Sequence, residues 1–314
     1  MLKRFIYDFF KFFLNFFFKI FFYIPLIKIF LKRRFISKNK KKISNYPIKN
    51  KKNLFLDYLD YIFIKEHILK IKDQNEIRNL FSEIVKSEEG LKWAEMYYKT
   101  NKSKNLEDLK KEKTGVISTI DAIPLFKNLI RFIKVNNFEN NNDVYIIQLG
   151  SSSGRDLEFF YNYFPKLNYI STDVSDKILD FQKEKYKFKN FNYFKCFAED
   201  IEKCINHFQI ESKNIIIFSN GSLQYVLPFF LKDFFQKIGK IKNVNIFINE
   251  PFDQNLYPLK DILSKYSGSL KFSHDYDKYA KDLKILDKRI IKLFTKNNLN
   301  YSDASSYYLH LSNK

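Results

Sequence analysis

Cysteine is the first shortage. Cys196 and Cys204 are too few and wrongly spaced in a chain of 314 residues for a disulfide framework or a zinc site. With no cleavable signal read at the start, they suit a reducing cytoplasm. Histidine is scarce as well: His67, His207, His274 and His310 are the whole supply. The pattern G-x-G-x-x-G of dinucleotide sites is missing, and no G-K-[ST] follows a glycine turn, which excludes a P-loop. Acid is almost absent at the start. Residues 1–52 hold fifteen Lys or Arg against the single acid Asp8, whereas the rest of the chain holds forty bases against thirty-four acids. The net charge of +20 is therefore mostly N-terminal. That distribution favours an anionic membrane surface over an RNA groove. Apolar residues, at 45%, are sufficient for a sizeable core.

Residues 5–31, FIYDFFKFFLNFFFKIFFYIPLIKIFL, contain five clearly polar residues and are long enough for a transmembrane helix. The placement of those residues points elsewhere. At about 100° per residue, Asp8, Lys11, Asn15 and Lys19 fall within an arc of about 80°, one narrow polar stripe on an apolar cylinder. Holding Asp8, Lys11 and Lys19 mid-bilayer would cost roughly 2.5–3.5 kcal/mol each, a cost avoided by lying in the interface. Pro25 then breaks or kinks the helix. Lys32, Arg33, Arg34, Lys38 and Lys40–Lys42 follow, a patch suited to anionic headgroups at about 1 kcal/mol per charge. The expectation is an in-plane amphipathic helix over residues 1–34, with residues 1–42 binding the cytoplasmic face of a membrane peripherally. A spanning signal anchor and a helix buried on a partner protein are the alternatives. Residues 35–53 read as a basic linker and 54–135 as a helical cap. The cap includes the capping box Asp73-Gln-Asn-Glu76, a short helix carrying Trp93, and a helix at about Ile120–Val135 with Pro124 in its first turns.

The chain is organised around Val144–Asp173. A buried strand (Val144–Leu149) runs into the turn Gly150-Ser-Ser-Ser-Gly154, a helix starts at about Arg155, and a second strand (Tyr169–Thr172) ends on Asp173. Gly150 permits a sharp turn off the strand, Gly154 would let a ligand approach the backbone, and the helix N-terminus offers unpaired N–H groups. Asp173 is placed to accept from a ribose. The stretch resembles the first motif of class I S-adenosylmethionine (SAM)-dependent methyltransferases, with Gln148 where that family has an acid and Ser152 where it has the middle glycine. The resemblance implies residues 136–314 as a SAM-binding domain of the α/β, Rossmann-like, doubly wound class. Its seven strands would run 3-2-1-4-5-7-6, the last antiparallel, behind an N-terminal helical extension. It also implies SAM as cofactor, held by Gln148, Gly150, Ser151, Ser152, Gly154 and Asp173.

Further along, the strand Phe191–Phe197 ends at Glu199 and Asp200, which resemble the adenine-reading acid of the family; an exposed helix-start acid is the alternative. Asn214–Asn220 reads as a buried central strand that delivers Asn220 to the cofactor and Gln224 and Tyr225 to a methyl acceptor. Asn243–Asn249 ends at Glu250, Tyr257–Tyr266 reads as helical, and Asp275–Leu283 as another helix opened by His274. Arg289–Phe294 and Tyr307–Leu311 would close the sheet as a hairpin. The [DN]-P-P-[YFW] tetrapeptide of amino-directed nucleic-acid methyltransferases is absent, so no nucleic-acid partner is expected. The run Ser219-x-Gly221-x-Leu223-Gln224-Tyr225 instead resembles methyltransferases of bacterial glycan or small-metabolite biosynthesis. The implied reaction is O-methylation of a sugar, a surface glycan or its lipid-linked precursor. His274 is the expected general base and Glu250 the second candidate. Neither a metal nor a particular oligomer is implied. A lipid or quinone methyltransferase, a non-catalytic protein of the same fold and an RNA methyltransferase are the rival readings.

Overall fold

The computed structural model describes residues 29–30, 33–34, 91–92, 94–95, 98, 117–253, 264–268, 271–292 and 304–313. The chain divides into two units, Met1–Lys86 and Ser87–Lys314. Nearly all described residues belong to the second. The amphipathic segment, the linker, the capping box, Trp93 and His67 lie outside the described residues, apart from four positions between 29 and 34. No helix among the described residues is long and apolar enough to cross a membrane.

Short runs of β-branched and aromatic residues build a sheet from the middle outwards. In β1 (Val144–Leu149) and β4 (Asn214–Asn220) nearly every position is buried. Both faces of these strands are covered, which is why they read as apolar runs without alternation. β1 lies between β4 and β2 (Asn168–Asp173), and β2 pairs with β3 (Phe191–Lys195), all in parallel. On the other side β4 pairs in parallel with β5 (Val244–Asp253). β5 then pairs antiparallel with β9 (Ala304–Ser312), and β9 with β8 (Lys284–Lys292). Counting only its own members, the seven-stranded sheet has the order 3-2-1-4-5-7-6, with the last strand antiparallel. β6 (Ser264–Gly268) and β7 (Lys271–His274) form a separate hairpin.

The helices are α1 (Ile117–Val135), α2 (Arg155–Tyr163), α3 (Asp176–Lys185), α4 (Ile201–Phe208), α5 (Pro228–Ile238) and the single turn α6 (Tyr276–Tyr279). Phenylalanine does much of the packing on one face of the sheet. Phe126 of α1 meets Phe159 of α2 at 4.8 Å between centroids, and Phe160 meets Phe218 of β4 at 5.3 Å. Edge and tilted aromatic contacts of this kind add about 0.5–1.5 kcal/mol each to area burial. His310 of β9 stacks on Phe247 of β5 at 4.0 Å and serves the same core.

Several expectations are corrected. The helix expected over Tyr257–Tyr266 is a strand from Ser264, whose backbone pairs with His274. His274 therefore ends β7 instead of opening a helix, and the helix expected over Asp275–Leu283 shrinks to α6. α1 starts at Ile117, which places Pro124 in its interior. β5 continues through Glu250 and Pro251, a tolerable place for proline because this strand's pairing with β9 is near its end.

Candidate functional site

β2, β1, β4 and β5 are in register, and their carboxyl ends meet at one edge. In an open parallel sheet that edge, beside the point where the strand order reverses, is the ligand crevice. The turn after β1 forms its floor. Gly150, Ser152 and Gly154 all have positive φ, at 58°, 50° and 75°. The middle position thus keeps the left-handed shape of a glycine turn although it carries a serine. Gln182 of α3, fully buried, fastens the turn: its Nε2 lies 2.9 Å from Ser151 Oγ and 2.6 Å from the Ser152 carbonyl. Ser171 Oγ lies 2.6 Å from Ser151 Oγ. The Ser151 hydroxyl is thereby turned into the packing between β2 and α3.

Both glycines face protein. A Cβ on Gly154 would lie 2.6 Å from Tyr186 Cε2, and one on Gly150 would lie 2.6 Å from Ser222 Oγ. The close approach expected at Gly154 therefore belongs to Tyr186, whose hydroxyl also donates to the Ser153 carbonyl at 2.9 Å.

Asp173, buried at the end of β2, accepts from the Ser152 amide on Oδ2 and from the Ser175 amide on Oδ1, both at 3.1 Å. Burial pushes its pKa up to about 6, against the pull of the backbone N–H groups. Glu199 and Asp200 occupy a single helical turn (Ala198–Asp200) after β3 and are both buried. Asp200 is paired with Lys203 at 3.1 Å. Burial, with the added charge of Asp200, Glu199 and Asp173, drives the Cys196 thiol up to about 12.

A chain of polar side chains crosses the strand ends. Ser306 Oγ donates to Asn249 Oδ1, Asn249 Nδ2 donates to Asn220 Oδ1 at 2.9 Å, and Asn220 Nδ2 donates to Asp156 Oδ2 at 3.0 Å. Gln148 Nε2 reaches the same Asp156 oxygen at 3.1 Å. Gln148 is buried, and among the described residues its Oε1 has no hydrogen-bond partner. Asp156 escaped the sequence reading because it lies inside the helix, two residues past the glycine turn. The only available signal was an acid in a first helical turn.

Glu250 is fully buried and gathers the turn after β4 (Leu223–Tyr225). Its Oε1 accepts from Ser219 Oγ at 2.5 Å and from the Ser222 and Leu223 amides at 3.0 Å, and its Oε2 accepts from the Gln224 amide at 3.1 Å. Burial raises its pKa to about 7 despite these bonds. Gln224 closes its own turn through the Gly221 carbonyl at 2.6 Å, whereas Tyr225 stands 43% exposed beneath Lys271 Nζ. His274 is fully buried. Its Nδ1 lies 2.6 Å from Ser264 Oγ, which also lies 2.6 Å from the Tyr279 hydroxyl. Burial lowers the pKa of His274 to about 3, so the ring is neutral. The structure thus brings Gln148, the glycine turn, Asp173 and Asn220 to one edge. Glu250 and His274 lie behind the turn after β4, each engaged with a serine. No group of His, Cys, Asp or Glu among the described residues is arranged to hold a metal.

The chain matches no protein-family model and no curated protein. Among solved structures it is similar to a SAM-dependent methyltransferase from Anabaena variabilis, at 15% identity over 59% of this chain and 84% of that one, with a TM-score of 0.43. A TehB-like SAM-dependent methyltransferase from Corynebacterium glutamicum is 11% identical over 70% and 98% of the two chains, with a TM-score of 0.39. An S-adenosylmethionine-dependent methyltransferase from Clostridium acetobutylicum is 15% identical over 60% and 92%, with a TM-score of 0.37. At such distances, residue roles rest on this chain's own geometry.

Proposed function

We propose that this chain binds SAM at the carboxyl edge of the sheet and transfers its methyl group to an acceptor hydroxyl. The observation that carries the reading is the convergence of the left-handed Gly150–Gly154 turn, Asp173 and Asn220 at the ends of three neighbouring parallel strands. The residues present fit such a ligand. Gln148 Oε1 is a buried acceptor with no donor among the described residues. Asp173 keeps lone pairs for ribose hydroxyls beyond its bonds to the Ser152 and Ser175 amides. The reading assigns the adenine amino group to Glu199 or Asp200, the buried acids after β3. When bound, the sulfonium supplies an activated methyl for in-line displacement; the chain's own contribution is alignment and exclusion of water.

For the acceptor, the reading is a sugar hydroxyl of a glycan or its lipid-linked precursor, met at the cytoplasmic face of a membrane. Support comes from the Ser219–Tyr225 run, from the exposure of Tyr225 and from the basic residues 1–42. A hydroxyl acceptor benefits from a base. His274 stays unprotonated and Glu250 titrates near neutrality, but both are buried. His274 is held on the Ser264 hydroxyl and Glu250 on the fully buried Ser219 hydroxyl. If His274→Ala and Glu250→Gln both retain full turnover, neither is the base.

A second reading, a non-catalytic protein of this fold, is favoured by Ser222 standing over Gly150. Calorimetry with S-adenosylhomocysteine separates the two. Binding that Asp173→Ala abolishes supports the enzyme, whereas no binding to the wild-type chain removes it.

A further inference from the structure

We infer that Asp156 and Gln148 together form a seat for a primary ammonium group, the amino end of the cofactor's methionine portion, with the carboxylate supplied from helix α2 and not from strand β1. This inference rests on the reading of the crevice as a SAM site. Near the end of β1 the chain offers Gln148, a neutral amide. Its Nε2 is spent on Asp156 Oδ2, which leaves its Oε1 buried and unpartnered among the described residues. Asn220 Nδ2 falls on the same Asp156 oxygen. A carboxylate has about four acceptor positions on two oxygens, and an ammonium brings three donors. Asp156 and Gln148 Oε1, on two side chains joined by a hydrogen bond, thus both keep spare acceptor positions among the described residues.

No ion pair to Asp156 exists among the described residues. The adjacent Arg155 is turned to Glu158, with its Nη1 2.6 Å from Oε2, and its guanidinium lies 5.4 Å from the centre of the Tyr98 ring. Burial raises the Asp156 pKa above the usual carboxylate range, against the two amide bonds and the charge of Arg155, as expected of a carboxylate short of a counter-cation. The first turn of α2 favours a negative charge at this position. Gln148 then has a physical reason. An acid in its place would set two carboxylates about 3 Å apart, whereas an amide can donate to Asp156 and still offer an acceptor.

The test is calorimetric titration of the full chain with two probes, S-adenosylhomocysteine and 5′-methylthioadenosine, which lacks the amino-acid end. The wild-type chain should bind the first more tightly than the second. Asp156→Asn, nearly isosteric, should weaken S-adenosylhomocysteine roughly thirty-fold or more and leave 5′-methylthioadenosine within about two-fold. Unchanged binding of both probes by Asp156→Asn overturns the seat and leaves the SAM reading standing. So does an equal loss of both, or equal affinity of the wild-type chain for the two probes. Failure of the wild-type chain to bind either probe overturns the SAM reading and the seat with it.

Discussion

Ser152 holds a left-handed backbone that only glycine takes without cost, with φ at 50°, and its amide is fixed on Asp173. A non-glycine residue in that region is strained by about 1–2 kcal/mol, partly offset because glycine loses more chain entropy on folding. Ser152→Gly should therefore raise stability by up to about 1 kcal/mol in urea denaturation. Gly154→Ala should do the reverse. It adds left-handed strain at φ 75° and drives a Cβ into the Tyr186 ring, so a loss of about 2 kcal/mol or more is expected by the same measurement. Glu250 gives a pH signature. Its folded pKa, about 7, lies above the ordinary 4.5. In that window the folded state binds more protons than the unfolded state, so this residue's contribution is fully present below about 4.5 and lost as pH rises through 7. The stability difference between the wild-type chain and Glu250→Gln should shift against the wild type by on the order of 3 kcal/mol between pH 4.5 and pH 7. A flat difference across that range would show that folding does not raise the pKa of Glu250.

Elements differ in how far the sequence reveals them, and the reason lies in what each one packs against. β1 and β4 are buried on both faces, so their composition alone marks them as central strands. β6 and β7 announce themselves poorly. Tyr266 and Phe272 are paired across the hairpin, but the neighbouring lysines and serines follow no clear period, and a helical reading fits as well. The same divide runs through the site. Gly150 and Asp173 are fixed by local turn chemistry and are legible. The grip of Gln182 on Ser151 and Ser152, and that of Glu250 on the turn after β4, are contacts between residues far apart in sequence. No periodicity encodes them. Asn249 tests how β5 supports the crevice from behind. Asn249→Ala leaves the Ser306 hydroxyl and Asn220 Oδ1 without their partner, so it should cost about 1–3 kcal/mol of stability. By freeing the Asn220 amide it should also weaken S-adenosylhomocysteine binding by calorimetry. Unchanged affinity would show that Asn220 is held by Asp156 alone.

At the scale of the molecule, the charge separates along the chain as the units do. The excess of lysine and arginine belongs mainly to residues 1–52, within the unit Met1–Lys86, whereas the sheet belongs to Ser87–Lys314. A fragment from Ser87 should therefore keep a cooperative melt and retain S-adenosylhomocysteine binding. The full chain should float with vesicles containing phosphatidylserine at low salt, and the fragment should stay at the bottom of the gradient. Flotation that survives carbonate would instead favour a spanning helix over residues 5–31.

Ser222 over Gly150 has a meaning for how this chain can change by mutation. The Ser222 hydroxyl donates to the Gly150 carbonyl, and the space a side chain would need at position 150 is already filled by Ser222. The two positions form a size-limited pair, seventy-two residues apart in the chain and touching in the fold. Position 150 cannot gain a side chain while Ser222 keeps its place, so the order of substitutions at this edge is constrained. A change in the turn after β1 at position 150 thus waits on a change in the chain that follows β4.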